Sequence, residues 1–283
     1  MVANLQFSSG PAHASELRVV DLTLLIAEEL PCWWAAHMPF QHKTFNYFTD
    51  VDSQAAPLES RTGPYQTRWL LIDEHTGTHL DAPAHFIPPP DSELPHAAEI
   101  GNVTIEQVDL TQAMGPAVVI DVPEDLSGAA PGVSPIITPD IVRDHEEQYG
   151  QLKPGSIVLF RSGWDRLYKP GAEGDPYCYD PLILKSNEGW PAPGVECMKL
   201  LIERGIKCAG IDSPSMGSSH DGGPVHVEGL SHGVVYIEAL TNLDKLPNLG
   251  AWFCFAPLKL KRGTGGPGRA FAFLPATPAD SNQ

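Results

Sequence analysis

The chain has 283 residues, 42% of them hydrophobic, which is enough to bury a sizeable core. Thirty-five acidic against 18 basic side chains give a formal charge of −17, and that sign argues against nucleic-acid and anionic-membrane partners. No basic-then-apolar leader opens the sequence and no uninterrupted apolar run reaches about 18 residues, so a cytoplasmic protein is expected.

In chain order, β-branched apolar runs bounded by turn residues predict strands over residues 17–22, 68–73, 117–122, 156–160, 207–211, 233–238, 251–255 and 269–273. Between the first two lies a stretch, residues 25–66, that carries Trp33, Trp34, Phe40, Phe45, Tyr47, Phe48 and Tyr65 without periodicity, and it reads as a long aromatic-rich loop region. TPDIVRDHEEQYG predicts a helix, with Thr138 to cap it, Pro139 in its first turn and Gly150 to end it. GVECMKLLIERG predicts a second, with Val195, Met198, Leu201 and Ile202 on one face and Gly205 just past its end. KRGTGGPG, late in the chain, reads as a hairpin or a turn of close ligand approach rather than a phosphate cradle, because no helix follows it. The five cysteines are scattered, with no CxxC pair, and Cys197, Cys208 and Cys254 read as core filler. Strands mixed with few helices point to an α/β fold with a mixed sheet, and the absence of repeats or linkers to one domain spanning residues 1–283, of which residues 1–16 are expected to form a flexible N-terminal arm.

The run HTGTHLDAPAHF places three histidines and an aspartate between His75 and His85. Gly77 and Pro83 disfavour a helix interior there, whereas an extended segment puts His79, Asp81, Pro83 and His85 on one side. His75 reaches the same point if the chain bends at Gly77. His75, His79 and Asp81 then form a facial set suited to zinc, manganese or iron(II), with coordination positions left open for catalysis. His85 is expected to sit beside them as general acid and base, since imidazole ordinarily titrates near neutral pH; a fourth ligand is its alternative role.

HTGTHLDAPAHF resembles the HxGTHxDxPxHF signature of the metal-dependent cyclase family, which includes bacterial kynurenine formamidase and isatin hydrolase. The resemblance extends to VLFRSGW, IEALTNLDKLP and APLKLKRGTGGPGRAFAF, and so covers nearly the whole chain. It implies a single cyclase-like domain with a swivelling β/α/β arrangement and a mixed β core, assembled as a homodimer or homotetramer. It also implies that His226 and Glu238 hold a second ion bridged by Asp81, giving one or two ions of zinc or manganese, and that Trp33 or Trp34 packs against the substrate ring. One departure is MGSSHD after Asp212 to Ser215, where the family pattern carries an acidic residue.

The expected activity is hydrolysis of a small aromatic or cyclic substrate, an aryl formamide or a lactam, by a metal-activated hydroxide with His85 moving the protons. Two alternatives stand beside it: hydrolysis of a lactone or other ester, and a non-catalytic metal- or ligand-binding role on the same scaffold.

Overall fold

The computed structural model describes residues 17–54 and 56–275; the expected N-terminal arm, residues 1–16, lies outside them. In chain order the regular elements are β1 (Leu17–Asp21), β2 (Gln41–Asn46), β3 (Thr67–Leu71), β4 (His79–Asp81), β5 (Met114–Asp121), β6 (Ile136–Ile137), α1 (Pro139–Tyr149), β7 (Ile157–Arg161), β8 (Ala192–Pro193), α2 (Val195–Glu203), β9 (Cys208–Ile211), α3 (Gly223–Ser231), β10 (Val235–Glu238), β11 (Leu249–Pro257) and β12 (Gly265–Pro275), linked by several single-turn helices.

β5, β7, β9 and β10 run parallel, and the connections between them carry α1, α2 and α3. β4 pairs antiparallel with β10 on one side and with the start of β12 on the other, while β11 joins β12 to β5. Seven strands thus close into a barrel-like mixed sheet, and β1 extends it along the far end of β12. Closure leaves these strands buried on two faces. Their inward side chains, among them Val119, Leu159, Val235, Ile237, Phe253 and Phe255, fill the interior, and their outward neighbours Ile120, Phe160, Ile211 and Tyr236 pack with Val142, Met198, Leu201 and Leu230 of the three helices. Continuous apolar strands are the sequence signature of this arrangement.

All eight expected strands form. Both expected helices form too, with Pro139 in the first turn of α1 and Gly150 at its end with φ of 93°. Three features differ from the reading of the sequence. Residues 25–66 hold a strand, β2, which pairs with β3 as a separate two-stranded ribbon. The glycine-rich stretch does join β11 to β12 as a hairpin, but its GGPG is already the first part of β12, hydrogen-bonded to β4. α3 lies in a stretch where no helix was expected. None of the described helices is long and apolar enough to cross a membrane, and all five cysteines are buried and free.

Candidate metal centre

Strand periodicity builds the site. On β4 the central Leu80 points into the barrel, so His79 and Asp81 point outward; on the neighbouring β10 Ile237 points in, so Tyr236 and Glu238 point outward as well. The register sets Glu238 opposite His79 and Tyr236 opposite Asp81. α3 covers this face and brings His226 over it, with His226 Nε2 3.1 Å from Glu238 Oε1 and 3.6 Å from Asp81 Oδ2. His75 arrives from a bend whose Gly77 has φ of 61°, and its Nδ1 lies 2.9 Å from Asp81 Oδ1. A Cβ at Gly77 would approach Ile26 to 2.9 Å, so both conformation and space call for glycine there. The five residues gather into two sets that share one carboxylate: His75, His79 and Asp81, and Asp81, His226 and Glu238.

Each imidazole has both nitrogens facing acceptors. Nδ1 of His79 lies 2.8 Å from the Gly77 carbonyl and Nδ1 of His226 2.7 Å from that of Gly222, leaving both Nε2 atoms toward the carboxylates. His75 reverses the pattern, with Nε2 3.0 Å from Thr264 Oγ1 and Nδ1 toward Asp81. A neutral imidazole has one N–H and cannot satisfy two acceptors. Either all three rings carry an extra proton while packed closely, His75 and His79 only 5.1 Å apart, or a cation sits where the inward nitrogens converge. Asp81 Oδ2 is buried with no hydrogen-bond partner among the described residues, which favours the cation, since an orphaned carboxylate oxygen is costly. The donor set of imidazoles and carboxylates suits zinc or manganese.

The electrostatics have the same sense. Burial opposes charge on His79, yet its contacts with Asp81 and Glu238 outweigh burial and lift it to about 10. Burial works against His226 in the same way, and Glu238 and Asp81 raise it. Burial pushes the two carboxylates up, but the surrounding histidines outweigh it, holding Asp81 well below its ordinary value and bringing Glu238 to about 2. Two buried anions therefore draw positive charge into the cluster.

His85 is reached differently from the extended path expected. β4 ends at Asp81, and a single helical turn, Pro83–His85, swings the ring back onto His75, with centroids 4.0 Å apart. Its nitrogens have no hydrogen-bond partner among the described residues. Burial, with His75 and His226 acting against the pull of Asp81, depresses His85 to about 4, well below the neutral range assumed from its residue type. Next to it Phe86 stacks on His226 at 4.3 Å and 17°, a contact that fixes the plane of that ring.

Above the cluster lies a cavity of about 340 Å³. Leu24, Trp33, Trp34, Phe86 and Leu182 supply apolar walls, and Ser218 and His220 a polar one. Both tryptophans face it. Trp34 also packs edge-on against the buried Trp190, at 5.9 Å. His220 accepts the Ser134 N–H at Nδ1, so its Nε2 carries the proton. Asp221 and His232 stay outside the cluster, His232 being tied to the carbonyl of Glu228. Arg161 is occupied by Asp121 at 2.6 Å and by the carbonyls of Leu243 and Leu246.

The model of the family described as "Putative cyclase" matches residues 20–218. An isatin hydrolase of Roseibium aggregatum is 29% identical over 278 residues, covering 93% of this chain and 94% of its own. Among solved structures, an isatin hydrolase bound to the product analogue thioisatinate superposes with a TM-score of 0.71 at 26% identity, covering 93% of this chain and 94% of that one. Isatin hydrolase A from Ralstonia solanacearum does so with a TM-score of 0.70 at 25% identity, covering 91% and 92%.

Proposed function

This chain belongs to the Cyclase family, and from that membership we propose that it is a metal-dependent hydrolase of small aromatic amides, with a cyclic amide of the isatin type as its preferred class of substrate. The observation that carries the proposal is the convergence of three doubly engaged imidazoles on two buried carboxylates, at the floor of an apolar cavity and beneath one unengaged imidazole, His85. The similarity of nearly the whole chain to an isatin hydrolase supports the substrate class.

His75, His79 and Asp81 would hold one zinc or manganese ion, and His226 and Glu238 a second across Asp81. A divalent cation in such a place polarises a carbonyl and makes water a competent nucleophile near neutral pH. The protein's own residues do the rest. Trp33, Trp34 and Leu24 bury the substrate ring, which excludes water and holds the carbonyl over the cluster. His85, depressed to about 4, is a neutral imidazole at physiological pH and takes the proton of the attacking water. The imidazolium so formed is a better proton donor than an ordinary one, and it passes that proton to the leaving nitrogen, which would otherwise depart as an amide anion. Bond making to carbon, bond breaking to nitrogen and the proton's transfer then balance within one site.

Self-association belongs to this reading as well. The β2–β3 ribbon leaves Phe45, Trp69 and Leu70 exposed, an apolar surface of the kind that copies of a chain cover in a dimer or tetramer. Light scattering on the purified protein tests it, and a monomer at all concentrations would reject it.

The test of function is hydrolysis of isatin and of an N-formyl aryl amine by protein stripped with a chelator and then reloaded with zinc or manganese. Hydrolysis that disappears on stripping and returns on reloading is the expected result. No turnover of either amide, or turnover indifferent to the chelator, would reject the proposal.

A further inference from the structure

The three ligand histidines are not oriented alike. His79 and His226 each meet a main-chain carbonyl, of Gly77 and Gly222 respectively. His75 alone meets a side chain: its Nε2 lies 3.0 Å from Thr264 Oγ1, and Thr264 Oγ1 lies 2.7 Å from Glu74 Oε1. The second oxygen of Glu74 accepts the Thr264 backbone N–H at 3.0 Å, so the carboxylate grips both polar groups of that threonine. The directions follow from proton counting. A carboxylate has no proton to give, so the threonine hydroxyl donates to Glu74 and must accept from His75. That fixes the His75 proton on Nε2 and frees the Nδ1 lone pair toward Asp81.

Space around this chain of contacts is kept by the glycines on either side of Thr264. A Cβ at Gly263 would come within 2.8 Å of Glu74 Oε2, and one at Gly265 within 2.5 Å of the His75 ring. The triplet Gly263, Thr264, Gly265 therefore admits the carboxylate on one side and the imidazole on the other, with the hydroxyl between them.

We infer that Glu74 and Thr264 are positioning residues for His75: they select its tautomer, hold its plane and, through the carboxylate's charge, make Nδ1 a stronger ligand for a divalent cation. A carbonyl dipole orients a ring, whereas a full negative charge relayed through a hydroxyl also strengthens its lone-pair donation to a cation. The pair makes His75 the ligand whose strength depends on a side chain outside the signature's histidines and aspartate. This rests on the metal-binding reading above.

The experiment compares wild type with Thr264→Val, Thr264→Ser and Glu74→Gln in the full-length protein. Zinc affinity is measured by competition with a chromophoric chelator, and the His75 tautomer by nitrogen-detected NMR of the imidazoles in zinc-free protein at a pH high enough to leave the ring neutral. Thr264→Val should weaken zinc binding about 10–100-fold and shift the His75 signals away from the Nε2–H pattern. Thr264→Ser, which keeps the hydroxyl, should restore both, and Glu74→Gln, which keeps the shape but not the charge, should fall between. Unchanged affinity together with an unchanged tautomer in Thr264→Val and Glu74→Gln would overturn the inference. If Thr264→Val fails to fold by circular dichroism, the pair Thr264→Ser and Glu74→Gln decides the same question. Wild type that binds neither zinc nor manganese would defeat the metal reading instead, while the tautomer in Glu74→Gln would still decide the role of the pair.

Discussion

Gly265→Ala puts the geometry of the centre to a quantitative test. The added Cβ would lie 2.5 Å from Cε1, 2.8 Å from Nδ1 and 2.9 Å from Nε2 of His75, and the approach is to the ring itself rather than to the end of a flexible chain. Relief out to ordinary contact near 3.4 Å needs roughly 0.9 Å of movement at Cε1, against the ~0.2 Å within which ligand distances must fall. β12 cannot simply retreat, because Gly265 is registered with Asp81 and any shift drags the strand pair that carries the ligands. Since Gly265 is not in a left-handed conformation, alanine brings no backbone strain of its own, and the loss isolates the ring contact. Zinc affinity should fall at least about 100-fold, roughly 2.8 kcal/mol, while unfolding in chelator loses no more than the about 1–3 kcal/mol that overpacking costs. Chelator competition reads the first and calorimetry the second. A variant that folds normally and binds zinc within about threefold of wild type would show that His75 is not held where metal binding requires it.

Other outcomes follow from the same geometry. His85→Ala should lower kcat for an amide by about 10²–10⁴-fold with metal content intact by elemental analysis; equal loss of metal and rate would make His85 a ligand instead. In chelator, His79 raised from 6.5 to about 10 and His226 raised with it bind more protons folded than unfolded, so the stability they contribute is complete below about 6.5 and is lost as pH climbs toward 10. Metal-loaded protein should lack that slope, and parallel pH profiles with and without chelator would refute it; the buried thiols affect both states alike. Gly229→Ala should cost about 1–3 kcal/mol by overpacking, because its Cβ would collide with Tyr236 Oη, which donates to the Val225 carbonyl at 2.6 Å. Unaltered denaturation midpoints would contradict that.

The legibility of this fold in its sequence follows burial. Strands such as β7 and β9 are apolar on both faces because the closed sheet buries both, so their runs stood out. Alternation placed His79 and Asp81 on one face correctly, since β4 is a strand with Leu80 turned into the core. The same alternation failed two residues later, where Pro83 opens a helical turn and rotates His85 onto His75. α3 escaped notice because glycines at its start and at Gly229 lower its helical propensity. The structure shows why Gly229 is there: Tyr236 needs the room. The glycine-rich stretch looked like a turn because propensity cannot report that His75, Glu74 and the backbone of Ala256 crowd those positions. β2 was hidden for the opposite reason, since a ribbon outside the barrel has no alternating core face to reveal it. Glu74 and Thr264, 190 residues apart, had no joint signal in the sequence at all.

The metal centre is tested most directly by anomalous diffraction, at the zinc and manganese edges, from crystals of metal-loaded protein. One peak is expected between His75 Nδ1, His79 Nε2 and Asp81, and a second between Asp81, His226 Nε2 and Glu238. A map with no peak among these side chains, or with the metal held elsewhere on the molecule, would contradict that expectation.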